Sequence, residues 1–181
     1  MAVMMSPLQQ FARSAKRRFV KPRSLPGLWP LSLGTLKVKD AAMLCNRMSP
    51  QTCRSLGIEI FEDVSQAERF IMAAGSQQQR FAIRHEVHGL VGSVAFSRLT
   101  SIHVCDMAQL SYWLAEPFRG LGVMSWALNS ILVRLKSTGV KHVLAHVYTF
   151  NQASQRLLER MGFKPCFEKA DNIVRYQLKL A

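Results

Sequence analysis

Between Leu110 and Leu132 the chain reads LSYWLAEPFRGLGVMSWALNSIL. A strand-like stretch runs through Glu116-Pro117 into Arg119-Gly120-Leu121-Gly122 and then directly into an apolar helical pattern. Such a turn points several unpaired backbone N–H groups at one spot, and the positive end of the helix dipole adds to their pull on an anion. This is the chemistry of a phosphate cradle. Glycine lets a phosphate approach the backbone closely, and Arg119 adds a positive charge. Taken alone, the same residues also describe a glycine-softened turn with no ligand.

A second signal lies in NQASQRLLERMGF, residues 151–163. Asn151 and Ser154 are helix-start residues, Leu157, Leu158 and Met161 form an apolar stripe, and Gly162 is a left-handed stop followed by Phe163. The strand before it, KHVLAHVYT, places His142, Leu144, His146 and Tyr148 on one face and Val143, Ala145 and Val147 on the other. Both helix starts follow strands, so both belong at the carboxyl edge of a sheet, where open α/β sheets bind ligands. Glu116 falls near the mouth of the same cleft, although Pro117 also suits it to a turn. His103 and Asp106 stand in a polar interruption without a glycine-flanked nucleophile and read as loop residues.

These residues need a scaffold of strands and helices to hold them. Leu31 to Val38 reads as a first strand. Lys39-Asp40 opens a helix carrying Ala42, Met43, Leu44 and Met48, which Ser49-Pro50 closes. A second helix fits Val64 to Ala74. The period then changes to that of strands at Arg80 to His85, Gly89 to Phe96 and Met107 to Ala115, with His88-Gly89 as a hairpin signal. Leu121 to Leu135 is a long apolar helix, Lys141 to Thr149 a strand, Gln152 to Met161 an amphipathic helix, and Phe163 to Glu168 and Ile173 to Leu180 two closing strands. The pattern predicts an α+β (mixed α/β) fold with one sheet.

The chain has 181 residues, 49% apolar and 19% charged, the size of one domain. No apolar run reaches the length of a membrane span, and Met1 to Met5 is too short for a signal-peptide core, so a cytoplasmic protein with no membrane contact is expected. The four cysteines (Cys45, Cys53, Cys105, Cys166) form no C-x-x-C pair and have no His at ligand spacing, so reduced thiols and no metal are expected. The net charge of +13 is uneven: eight of the 24 Lys and Arg, and none of the 11 acids, fall in residues 1–39. With Pro22, Pro26, Gly27 and Pro30 as breakers, residues 1–30 read as a basic arm and 31–181 as the domain. Such an arm is a solvated tail, a grip on RNA, the ribosome or an acidic surface, or a targeting segment.

In this order and about 30 residues apart, the two motifs resemble the Gcn5-related N-acetyltransferase (GNAT) superfamily. Within it the chain looks most like the RimJ and RimL type, over roughly residues 31–181. The phosphate motif Q/R-x-x-G-x-G/A falls on Arg119, Gly122 and Met124, with Met in place of the last small residue. The pattern N-x-x-S-x-x-x-L-E-x-x-G-F falls on Asn151, Ser154, Leu158, Glu159, Gly162 and Phe163. Many relatives carry a Tyr, their usual thiolate acid, where this chain has Leu158. The resemblance implies a mixed, mostly antiparallel central sheet flanked by helices. It implies acetyl transfer from acetyl-CoA to a primary amine, with a protein or peptide N-terminus favoured over a small amine or an aminoacyl-tRNA. The CoA site implied is Trp113, Leu114 and Ala115 along the pantetheine arm, Arg119, Gly120, Leu121, Gly122, Val123 and Met124 around the pyrophosphate, and Asn151 and Ser154 opposite. His146 stands five positions before Asn151, where some relatives place a catalytic Glu, and an imidazole there can accept the ammonium proton directly or through water. Tyr148 is the candidate to orient that water or donate a proton, and Ser154 the candidate to hydrogen-bond the thiolate. A catalytically silent module of the same fold, binding CoA or nucleic acid, is the alternative.

Overall fold

The computed structural model describes residues 31–74, 78–101, 104–170 and 172–180. The basic arm and His103 lie outside these residues. Strand β1 (Leu31–Thr35) leads through a 3-10 turn (Val38–Asp40) into helices α1 (Ala41–Arg47), α2 (Pro50–Leu56) and α3 (Val64–Met72). Strands β2 (Gln78–His85), β3 (Gly89–Ser101) and β4 (Val104–Leu114) follow as a meander. A second 3-10 turn (Glu116–Phe118) precedes α4 (Val123–Ser137), β5 (His142–Tyr148), α5 (Gln152–Arg160), β6 (Lys164–Ala170) and β7 (Ile173–Lys179).

One seven-stranded sheet takes the order β1-β2-β3-β4-β5-β7-β6. Every neighbouring pair is antiparallel except β4 and β5, which run parallel because α4 carries the chain back between them. Their ladder holds only from Met107↔His142 to Leu110↔Ala145, four residue pairs. Both strands then continue, β4 to Leu114 and β5 to Tyr148, without pairing to each other.

Alternation along the strands sorts the side chains into two layers. Phe81, Val94, Tyr112 and Leu110 share one face with Ala145 and Tyr176 by register. Helices α4 and α5 cover this face: the Arg134 guanidinium lies 5.3 Å from the centre of the Phe81 ring, and Tyr176 Oη donates to Glu159 Oε1 at 2.9 Å. Burial and the neighbouring Glu159 carboxylate push the Tyr176 phenol up to about 12. Arg80, Ser93, Trp113 and His146 project from the other face, where Arg80 stacks on Phe70 of α3 and donates to its carbonyl. Helices α1, α2 and α3 occupy that side. Core residues such as Leu44, Ile83, Val94, Leu128, Ile131, Val143 and Leu158 are buried between the layers.

Three local expectations change. Ser49-Pro50 does not only end α1: Ser49 accepts from Thr52 N–H at 3.3 Å and Pro50 occupies the first turn of α2. Proline there has no N–H to satisfy and a φ already suited to a helix, so the same dipeptide stops one helix and starts the next. Asp106 lies within β4 rather than in a loop and pairs with Lys141 at 3.2 Å. On α1 the buried residues are Ala41 and Leu44, while Ala42 and Met43 are exposed.

Candidate active site

The parting of β4 from β5 opens a gap at the carboxyl end of the parallel pair, and the glycine turn and both helix starts border it. Ala115 N–H donates to Val91 O at 2.9 Å, so Ala115 and, by alternation, Trp113 turn their backbone polar groups toward β3. Leu114 and Tyr112 therefore turn theirs toward the gap. Of the three residues expected to run beside a bound arm, Leu114 turns its backbone groups toward the gap, its carbonyl accepting from Arg119 Nε at 3.0 Å. Trp113 is buried at 7% exposure and Ala115 at 4%.

Past Leu114 the 3-10 turn is fastened from both sides. Arg119 Nε donates to Leu114 O at 3.0 Å, and its NH2 group donates to Thr52 Oγ1 at 3.0 Å. Its NH1 group stands 3.7 Å from Glu116, and Ser49 Oγ contacts the same carboxylate at 3.5 Å. Arg119 and Glu116 thus lock the turn onto the start of α2, with the Arg119 side chain still 45% exposed.

Gly120 and Gly122 take φ values of +75° and +80°, a left-handed conformation that favours glycine. Gly122 caps α4 without any side-chain cap. The first intrahelical bond is Trp126 N–H to Gly122 O, so the N–H groups of Val123, Met124 and Ser125 have no partner within the helix. A Cβ built on Gly120 meets nothing within 4 Å. Met124 stands where the motif has a small residue, yet its side chain is buried at 7% exposure and its bulk lies in the core. The loop thus offers what a phosphate needs: converging donors, the positive end of a 15-residue helix and open space.

Across the gap, Asn151 Oδ1 accepts from Ser154 N–H at 3.2 Å and so starts α5. Ser154 Oγ is 2.6 Å from Tyr112 Oη, which joins α5 to the unpaired part of β4. Burial pushes the Tyr112 phenol up to about 12, with the Ser154 hydrogen bond acting in the opposite direction. The remainder of the 151–163 motif is structural, since Leu158 and Phe163 are buried and Glu159 holds Tyr176.

His146 is the first β5 residue beyond the ladder, exposed on the face opposite Ser154. Its Nε2 accepts from Arg175 Nε at 3.2 Å, so that nitrogen carries no proton in this arrangement. Tyr148 stacks on Phe150 with centroids 5.3 Å apart. Its hydroxyl lies 2.7 Å from where a Cβ on Gly57 would sit, so only glycine at the end of α2 lets it approach. His146 and Tyr148 on one side of the sheet, and Ser154 with Tyr112 on the other, flank a single gap. Sequence reasoning missed Tyr112, Thr52 and Arg175. The alternation of β4 marks Tyr112 as a polar tip on an apolar face, but its partner 42 residues away leaves no local signal.

Among the described residues, no group of three His, Cys, Asp or Glu is placed to hold a metal ion, and Cys45, Cys53 and Cys166 are free thiols. No helix among them is long and apolar enough to cross a membrane.

Residues 31–164 match the family model described as acetyltransferase (GNAT) domain. A segment of 53 residues is 34% identical to the uncharacterized N-acetyltransferase YycN of Bacillus subtilis (strain 168), covering 29% of this chain and 34% of that one. The chain thus spans about a third of the length of the curated relative it matches. Among solved structures, an acetyltransferase from Thermus thermophilus superposes with a TM-score of 0.71 at 20% identity, over 85% of this chain and 99% of the other. A spermidine N-acetyltransferase from Vibrio cholerae, in complex with CoA and spermine, superposes with a TM-score of 0.69 at 18% identity, over 82% and 95%. These likenesses share the sheet and its helices. With the family model matched from β1 to the start of β6, the chain belongs to the GNAT acetyltransferase family.

Proposed function

We propose that the protein moves an acetyl group from acetyl-CoA directly to a primary amine, and that the acceptor is the N-terminus of a protein or peptide, as in the RimJ and RimL type. The observation that carries this reading is the gap between β4 and β5 beside an uncapped helix N-terminus. An extended arm is received by the Leu114 backbone, and a pyrophosphate by the N–H groups from Gly120 to Ser125. The Leu114 N–H then lies beside the reacting carbonyl and steadies its oxyanion. Ser154 donates a hydrogen bond to the departing sulfur. His146 takes the proton of the attacking amine on Nε2, directly or through a water that Tyr148 orients, once the Arg175 Nε–H that occupies this lone pair in the free protein gives way to the amine or the water.

The acceptor side favours a peptide over a polycation. The Arg175 guanidinium puts a positive charge beside His146, and the Phe150 ring, 58% exposed and stacked on Tyr148, offers an apolar shelf for a side chain. The test is thiol release from acetyl-CoA with a set of free-amine peptides, the same peptides with blocked N-termini, and spermidine. Release with free peptides alone is expected. Release with spermidine alone overturns the acceptor assignment, and CoA binding without release to any amine overturns the enzymatic reading. Replacing His146 or Ser154 by Ala should lower turnover about a hundredfold or more while leaving CoA affinity within a few fold.

A further inference from the structure

We infer that Tyr112 is a positioning residue for acetyl transfer, aiming the Ser154 hydroxyl into the gap between β4 and β5. The inference rests on the reading of Ser154 as the donor to the departing sulfur. Its basis is placement. Tyr112 sits on the part of β4 that has left β5, its backbone groups face the gap, and its side chain crosses under the start of α5 to meet Ser154 at 2.6 Å. The two hydroxyls are joined, and their acidities decide the direction of the bond. A phenol is a far stronger acid than an alkanol, so Tyr112 donates and Ser154 accepts. Ser154 has one hydrogen, and with its oxygen already engaged by Tyr112 that hydrogen is released to point elsewhere. Its backbone N–H is held by Asn151, which fixes the Cα from which the hydroxyl swings.

The surroundings keep the arrangement in this state. Burial raises the Tyr112 phenol, so it stays protonated and donating throughout the neutral range. The pair contributes a hydrogen bond and no net proton. During transfer the carbon–sulfur bond breaks and a carbon–nitrogen bond forms. The sulfur leaves with the bonding electrons as a thiolate that accepts the Ser154 hydrogen bond; the nitrogen gives one proton to His146, which returns it to solvent, and the thiolate takes one from solvent, so no further reactant is consumed. Tyr112 and Ser154 end the cycle as they began it.

The experiment is a double-mutant cycle of Tyr112→Phe and Ser154→Ala, reading kcat, KM for acetyl-CoA, CoA affinity by calorimetry and the midpoint of thermal unfolding. Phenylalanine keeps the ring and its packing. Tyr112→Phe is expected to lower kcat about tenfold, the weight of one ordinary hydrogen bond, with KM and CoA affinity within twofold. Added to Ser154→Ala it should lower kcat no further, because the residue it positions is gone. The inference is overturned if Tyr112→Phe leaves kcat unchanged, if its effect is the same in both backgrounds, or if it appears only in KM and stability. A wild-type kcat in Ser154→Ala itself removes the underlying role of Ser154. A normal loss there with no effect of Tyr112→Phe removes only the assignment made to Tyr112.

Discussion

At the scale of single residues, the site is made of side chains whose partners restrict them to one task. Arg119 is the clearest case: a cation beside a phosphate loop is expected to reach for the phosphate, yet it is engaged by Leu114 O and Thr52. In the proposed complex the backbone N–H groups at the start of α4, which cannot swing away, meet the anion. Tyr112 carries a measurable consequence at high pH. Its phenol is raised from the ordinary value near 10 to about 12, so the folded state holds this proton more tightly than the unfolded chain does. That stability is fully present below pH 10 and is lost as pH climbs through 12. Denaturant unfolding at pH 8, 10, 11 and 12 should show the native protein losing on the order of 2 kcal/mol more than Tyr112→Phe across that range. Parallel curves for the two proteins would show that Tyr112 titrates normally in the folded state.

At the scale of elements, a turn, two helix starts and one strand end are assembled around a gap. The sequence made most of these legible. Hydrophobic period separated β2, β3, β4 and β5 from α4 and α5, and the glycines of 119–122 marked the turn. What it could not show was the pairing between distant segments: Ser49-Pro50 as the beginning of α2, Thr52 under Arg119, and the exact residue where β4 and β5 part. None of these depends on local propensity. The turn itself supports a sharp expectation. Gly122→Asp places a carboxylate on the uncapped end of α4 and forces a left-handed backbone on a residue with a side chain, so CoA binding should fall below detection while α4 stays folded. Gly120→Ala, with open space around its Cβ, should lose only about 1 kcal/mol of stability for its backbone. Calorimetry with CoA and circular dichroism on both variants check this, and unchanged CoA affinity in a folded Gly122→Asp protein would remove the phosphate assignment.

At the scale of the whole molecule, chemistry and charge are kept apart in the chain. Arg13, Lys16, Arg17, Arg18, Lys21 and Arg23 all precede residue 31, whereas the residues around the gap come from positions 49 to 175. Removing residues 1–30 should leave turnover on a small uncharged amine nearly unchanged. If the arm grips RNA, retention on RNA should fall on truncation, and the intact protein should lose affinity with salt at a slope of about −0.9 per duplex phosphate neutralised or about −0.7 per single-strand phosphate. Salt-independent retention would exclude a polyanion. The short parallel ladder has its own consequence for how the molecule breathes. It divides the sheet into two antiparallel blocks, β1 to β4 and β5-β7-β6, stitched by four residue pairs of the weaker parallel kind. Each block should therefore open as its own cooperative unit, giving amide hydrogen exchange two distinct free energies in the free protein. A ligand lying between the strand ends touches both blocks at once and closes the seam like one more rung. Saturation with CoA should therefore draw the two exchange energies together, and a single energy before any ligand is added would show that the sheet behaves as one piece.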